Sequence, residues 1–195
     1  LSTMRPSSLL FWLILISVRI KFMVNVNDTD ALIIVDVQND FCSGGSLPVP
    51  DAELIIDPIN RLQRFFDYLY FSRDWHPNDH CSFRDNPHFD EGCWPSHCVQ
   101  NSPGAEFHGD MRIPVDATII DKATTAEKDA YSAFDGTDLS TRLERRKTKR
   151  VFVVGLALDF CVKATALDAL QNGFKAFVIR NATRAVFPEN EAAVY

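Results

Sequence analysis

Five short apolar runs set the tightest limit on what this chain can fold into: "ALIIVD" (31–36), "DYLYFS" (67–72), "ATIID" (117–121), "VFVVGL" (151–156) and "KAFVIR" (175–180). They are continuous rather than alternating, which is how strands covered on both faces read. Helix-like segments lie between them. Residues 52–66 carry Leu54, Ile55, Ile59, Leu62 and Phe65 at helical spacing, and 138–147 and 162–172 follow, the last stopping at Asn172-Gly173. Strand and helix in this alternation predict a parallel, doubly wound α/β sheet. In such a sheet ligands sit beyond the carboxyl ends of the strands.

At 195 residues the chain has room for one domain with a full core. A formal charge of −6 gives no general attraction for phosphate backbones or anionic membrane surfaces, so nucleic acid is not an expected partner. The one basic cluster, "ERRKTKR" at 144–150, reads as a solvated helix C-terminus. Five cysteines, an odd number spread unevenly, read as mostly reduced thiols. Residues 9–18, "LLFWLILISV", are apolar but too short to span a bilayer at about 20 residues per helix. Three readings are open for this end: a true start at Met23, which is favoured, a signal or anchor, or a structured tail. Residues 1–27 are therefore set apart as an extension and 28–195 as the folded domain. Two N-x-T sequences, at Asn27 and Asn181, matter only on the secretory route. Residues 74–116 break the rhythm with a long Pro-, Asp-, Asn- and His-rich segment, and loops of that length are usually functional.

Four strand ends carry reactive side chains. The first closes on Asp36, either a loop-capping carboxylate or a buried base. The second runs into Asp74-Trp75-His76, with His80 four residues on. Asp and His one residue apart on an extended segment point the same way, so both can hold one ion, with His97 of "CWPSHC" as a third ligand. Mixed N and O ligation suits Zn, Fe or Mn without choosing among them. The third strand ends in Lys122, placed to steady a negative nucleophile if a carboxylate is near. The fourth leads through a tight turn at Gly155 to Cys161, at the first turn of a helix. Backbone N–H groups and the helix dipole there are expected to lower a thiol's pKa, which makes Cys161 the best nucleophile candidate; the alternative is a small buried hydrophobe. Cys42, Cys81 and Cys93 read as structural or incidental, Cys98 points away from His97, and His88 and His108 read as surface histidines.

Taken together, "ALIIVDVQNDFCSGGSLPV", "RDWHPNDHCSF", "WPSHCV", the lysine after strand three, "YSAF" and "GLALDFCVKATALDA" resemble the nicotinamidases of the isochorismatase-like hydrolase family. The likeness runs from about residue 30 to 190, with six motifs in the family's order. It implies a three-layer α/β sandwich around a mainly parallel six-stranded sheet, whose last helix and strand are missing from this chain. It also implies a Cys-Lys-Asp triad, falling on Cys161, Lys122 and Asp36, and one divalent ion, zinc first and iron or manganese next, on Asp74, His76 and His97. His80 is the position for a further ligand. The pocket aromatics fall on Phe41, Trp94 and Tyr131, and a cis peptide on Leu156–Ala157, turning the backbone N–H groups of Ala157 and Cys161 into an oxyanion hole.

The implied activity is hydrolysis of nicotinamide to nicotinate and ammonia through a cysteine thioester, in NAD salvage. Nicotinamide is then the partner, a homo-oligomer is compatible, no stable membrane insertion is expected, and the implied location is cytoplasmic, also nuclear. Leu158 and Phe160 depart from bacterial relatives, which commonly have Thr at the first and His or Tyr at the second. The segment from Lys122 to Tyr131 is longer than in some relatives. Two rivals stand beside this reading. One is a related hydrolase acting on isochorismate or an N-carbamoyl amine, which typically lacks the Asp74-x-His76 and His97 set. The other is a non-catalytic truncated homologue.

Overall fold

The computed structural model describes residues 25–86, 88 and 92–195. The apolar run 9–18 and Met23 lie outside the described residues, and with them the readings of the N-terminal extension. Five strands form one all-parallel sheet: β1 (Asp30–Val35), β2 (Tyr68–Asp74), β3 (Thr118–Lys122), β4 (Arg150–Leu156) and β5 (Lys175–Arg184). Their order is β3-β2-β1-β4-β5. The chain thus builds outward from β1 in one direction, then returns to its other side with β4. The crevice beyond the carboxyl ends of β1 and β4 is the topological switch point, where an open parallel sheet binds ligands.

The two sheet faces follow from side-chain alternation along each strand. Leu32, Ile34, Phe71, Phe152 and Val154 point to one face, against Ile55 and Ile59. The covering element there is α1 (Ile56–Leu62), entered through a 3-10 turn at Ala52–Ile55 and left through another at Gln63–Phe65. The sequence predicts one helix over 52–66; Pro58 stands two residues inside the α-helical part, where its missing N–H is tolerated. Ala31, Ile33, Val35, Val151 and Val153 face the other way, against Leu139 and Leu143 of α2 (Leu139–Arg145) and Ala169 of α3 (Lys163–Gln171). This makes the three-layer sandwich expected from the sequence, with five strands among the described residues. The chain closes on a short α4 (Glu191–Val194).

Gly155 sets the spacing at the switch point. Its φ is +111°, and a Cβ there would lie 2.0 Å from the carbonyl oxygen of Val35, its partner on β1. Gly155→Ala therefore both strains the backbone and pushes β1 from β4. The expected loss is on the order of 3 kcal/mol, read as a lower urea midpoint at unchanged m-value.

Candidate active site and metal centre

Sheet register delivers the polar groups to one place. Asp74 and Lys122 are paired neighbours at the ends of β2 and β3. Asp36 follows β1, and Cys161 lies in the π-helical turn Leu158–Val162 that joins β4 to α3. The backbone turns sharply around them, with left-handed φ at Asp36 (49°), Cys98 (46°) and Ala123 (51°). Such conformations concentrate at functional sites. The Leu156–Ala157 peptide is cis.

Lys122 is the hub. Its Nζ lies 3.0 Å from Asp36 Oδ2 and 3.6 Å from Cys161 Sγ, and donates to Ala130 O at 3.0 Å and to Asp74 Oδ1. Its side chain is fully buried. Burial disfavours the ammonium, but Asp36 and Asp74 outweigh it and hold the group protonated, well above the usual lysine range. Asp36 Oδ1 accepts from Ser72 Oγ at 2.7 Å, whereas Oδ2 meets Lys122 without hydrogen-bond directionality and has no other donor. Burial raises the Asp36 carboxyl to about 6; Lys122 opposes the rise and Asp74 adds to it. One carboxylate oxygen of Asp36, one of Asp74 and Cys161 Sγ lie within 4.8 Å of one another.

The thiol corrects one expectation. Placement at a helix start was expected to lower its pKa, yet burial raises it well above the usual thiol range, with Lys122 opposing and Asp36 reinforcing. The desolvation of a largely enclosed sulfur exceeds what the helix end supplies. Cys161 therefore rests as a thiol, with a carboxylate oxygen of Asp36 within 4.8 Å of its sulfur.

Asp74, His76 and His97, all buried, each offer a ligand atom within 4.8 Å of the others. His76 Nδ1 pairs with His97 O at 3.1 Å, and His97 Nδ1 with Pro95 O at 2.7 Å. A carbonyl can only accept, so both rings carry the proton on Nδ1 and present an Nε2 lone pair. His76 Nε2 is buried with no hydrogen-bond partner, as a ligand atom awaiting an ion would be. Burial drives the His76 imidazole down to about 4, against Asp74, so it is neutral at physiological pH. Burial alone would raise the Asp74 carboxyl, but Lys122, His76 and His97 hold it below the ordinary value. These residues fit a divalent cation.

His80 sits outside this set. Its ring stacks on His76 at 4.1 Å, its Nδ1 meets Ser82 Oγ at 2.8 Å and its Nε2 meets Lys128 O at 3.2 Å. Both nitrogens are engaged, so it buttresses His76 without offering a free lone pair.

Beside the metal set opens a cleft lined by Phe41, Trp94, Tyr131, His97, Phe160 and Cys161 among others. Trp94 Nε1 donates to Tyr131 Oη at 3.1 Å, and both rings pack on Phe160. Phe160, read from the sequence only as a departure, is thus the residue that joins the aromatic wall to the turn bearing Cys161.

Three positioning groups escaped the sequence reading. Gln38 clamps Asp74, accepting from its N–H at 2.9 Å and donating to its carbonyl at 2.8 Å. Asp40, buried beneath Gly104, accepts from Cys98 N at 2.7 Å and so fixes the chain beside His97. Asp159 accepts from the backbone of Val186 and Phe187, both at 2.9 Å, and ties the exit of β5 to the turn bearing Cys161. Polar residues beside strand ends give no periodic signal that separates such clamps from solvated loops.

Comparison with known proteins agrees with this geometry. Residues 30–195 match the family model described as the isochorismatase domain. The chain is 40% identical over 174 residues to a nicotinamidase of Acinetobacter baylyi, covering 80% of this chain and 81% of that one. Among solved structures it resembles the pyrazinamidase of Pyrococcus horikoshii in complex with zinc (46% identity, TM-score 0.79, 85% of this chain and 92% of the other). It also resembles PnC1 from L. infantum in complex with nicotinate (41% identity, TM-score 0.82, 88% and 89%).

Proposed function

We infer, from a chain that belongs to the isochorismatase family and groups with its nicotinamidases, that this protein is a metal-dependent amidohydrolase converting nicotinamide to nicotinate and ammonia. The observation that carries the reading is the convergence of Cys161, Lys122 and Asp36 within reach of Asp74, His76 and His97, at the floor of an aromatic cleft.

In the proposed mechanism the pyridine ring enters between Phe41, Trp94, Tyr131 and Phe160, with its carboxamide over Cys161. Flat aromatic walls suit a flat heterocycle. Asp74, His76 and His97 would hold one divalent ion, zinc by preference given the donor set and the zinc-bound Pyrococcus relative. When bound, the ion supplies a Lewis acid that orients the ring.

As Cys161 Sγ attacks the carbonyl carbon, Asp36 takes the thiol proton. Lys122 remains protonated throughout and offsets the charge passed between the two. The backbone N–H groups of Ala157 and Cys161 receive the oxyanion. Collapse breaks the C–N bond, and the proton on Asp36 passes to nitrogen, releasing ammonia. Asp36 then takes a proton from water and the hydroxyl adds to the thioester; the C–S bond breaks, Asp36 returns its proton to the departing sulfur, and the acid loses its own to solvent, leaving nicotinate and the regenerated thiol. The assay of equimolar ammonia and nicotinate release from nicotinamide tests this directly; hydrolysis of isochorismate or an N-carbamoyl amine in its place would favour the related hydrolases.

Two outcomes follow. Stripping the ion with a chelator is expected to raise KM for nicotinamide more than it lowers kcat, because the ion orients the ring while Asp36 and Cys161 perform the bond changes; unchanged kinetics in a verified metal-free sample would refute the three-ligand site. The pH profile is expected to show an acid limb in kcat/KM near pH 6, where Asp36 gains a proton and ceases to accept one. The sign for stability is opposite. A carboxyl raised from 3.8 to about 6 on folding favours the protonated folded state, so its contribution falls as pH rises through that window. Loss of activity below pH 6 is therefore not unfolding caused by this group, and circular dichroism unchanged across the limb checks it.

A further inference from the structure

Away from the catalytic cleft, the described residues gather one other set of mixed metal donors. Cys42, Glu53 and His108 each offer a ligand atom, and the three lie within 4.8 Å of one another. They come from three separate segments: Cys42 just after the 3-10 turn Asn39–Phe41, Glu53 inside the turn Ala52–Ile55, and His108 in the loop after the turn Pro103–Ala105. Sixty-odd residues separate the first from the last, so no local sequence pattern brings them together.

Each donor is held in place by its surroundings. Ser43 N donates to Glu53 Oε1 at 2.6 Å, leaving the second carboxylate oxygen for another partner. His108 N donates to Val37 O at 2.9 Å. The loop that follows is pinned by Asn60, whose side chain donates to Asp110 O at 2.8 Å and accepts from Arg112 N at 2.9 Å. At the His108 ring, Asp110 N donates to Nδ1 at 3.2 Å and Asp110 Oδ2 stands 3.9 Å from the same nitrogen. Nδ1 thus accepts from Asp110 N, and an ion that binds the ring takes the place of that contact or of a proton on Nε2. A surface cleft bordered by Asn39, Cys42, Ser43, Gly104 and His108 gives an ion and its water access.

We propose that Cys42, Glu53 and His108 form a second metal site that takes one zinc-like divalent cation, with water completing a four-coordinate shell. The donor set of one sulfur, one carboxylate oxygen and one imidazole nitrogen is of the type zinc accepts in tetrahedral sites. Glu53 is ready as a carboxylate, since the Ser43 N–H holds its pKa below the ordinary value. Cys42 is the protonated partner in the metal-free chain, pushed up to about 12 by burial and then by Glu53. Binding exchanges that proton for the ion: the S–H bond breaks, the sulfur keeps the electron pair and bonds the metal, and the proton leaves to solvent.

The test uses the full chain with Cys161→Ala, which silences the catalytic thiol, loaded with Co²⁺ and freed of loose ion by gel filtration. The expected result is two Co²⁺ per chain and a sulfur-to-cobalt charge-transfer band in the near ultraviolet. Adding Cys42→Ser is expected to remove one ion and the band, while adding His97→Ala removes one ion and keeps the band. His108→Ala, at a half-buried position, is expected to reproduce the Cys42→Ser result and decides the matter if that variant does not fold. A Cys161→Ala chain holding a single Co²⁺ without the band, or a folded Cys42→Ser or His108→Ala chain that still holds two with the band, overturns the proposal. Neither readout depends on amide hydrolysis, so failure here and failure of the nicotinamidase reading remain separate.

Discussion

Cys161→Ala is expected to lower kcat/KM for nicotinamide by a factor of about a thousand or more, the scale on which removing a covalent nucleophile acts, while leaving the fold intact. The substitution removes a single sulfur from a side chain that is 6% exposed, in a turn anchored independently by Asp159 through Val186 and Phe187. Nearby groups cannot replace it. Cys98, the other buried thiol close to Asp74, has its own N–H held by Asp40. Its pKa is also raised well above the usual range by burial. Substrate should still enter the cleft, because Phe41, Trp94 and Tyr131 are untouched, so nicotinamide binding measured by calorimetry is expected to survive. Residual turnover within tenfold of the parent would move the nucleophile elsewhere.

Lys122→Met carries the second large effect, on stability. The ammonium is the counter-charge for two buried carboxylates, Asp36 and Asp74, in a place water does not reach. Replacing it with an apolar chain of similar length leaves those charges facing each other. Breaking such a buried pair costs about 3–5 kcal/mol. The structure offers one escape, protonation of Asp36, whose pKa is already raised to about 6 and would rise further without Lys122. The penalty is therefore largest at alkaline pH and shrinks as pH falls toward 6, where Asp36 is protonated in the variant before it is in the parent. Urea unfolding of Lys122→Met at pH 8 and pH 5.5 checks both the size and the sign. The double variant with Asp36→Asn is expected to recover part of the loss at pH 8, because one of the two charges is gone. A Lys122→Met chain as stable as the parent at pH 8 would show that the lysine does not balance these carboxylates.

How far the sequence carried the account depends on the kind of signal. The five strands were legible because each is buried on both faces and reads as an unbroken apolar run, and the observed β1 to β5 fall on those runs within a few residues. Asp36, Asp74 and Lys122 were legible for a related reason: a polar residue that ends an apolar run marks a strand's carboxyl end, whereas Cys161 was read from its place at the start of the helix after β4. His97 was harder, lying in a long loop without periodicity, and entered on chemistry and resemblance. The state of the Cys161 thiol was not legible, because a helix start can be read along the chain whereas enclosure by residues from distant segments, such as Lys122, Asp36 and Asp74, cannot. The clamps Gln38, Asp40 and Asp159 and the grouping of Cys42 with His108 were illegible for the same reason. Each depends on which loops the folded sheet brings side by side. Residues 9–18, with their apolar run, lie outside the described residues; among the described ones, no helix is long and apolar enough to cross a membrane.

The central claim is that the amide is cut by Cys161 through a thioester. Rapid acid quenching of the metal-loaded chain during turnover of nicotinamide, followed by intact-mass and peptide analysis, tests it most directly. The account predicts a nicotinoyl adduct that forms within one turnover, maps to Cys161, and disappears as nicotinate is released. Steady release of ammonia with no adduct at any quench time, or an adduct on another cysteine that turns over at the catalytic rate, would contradict it.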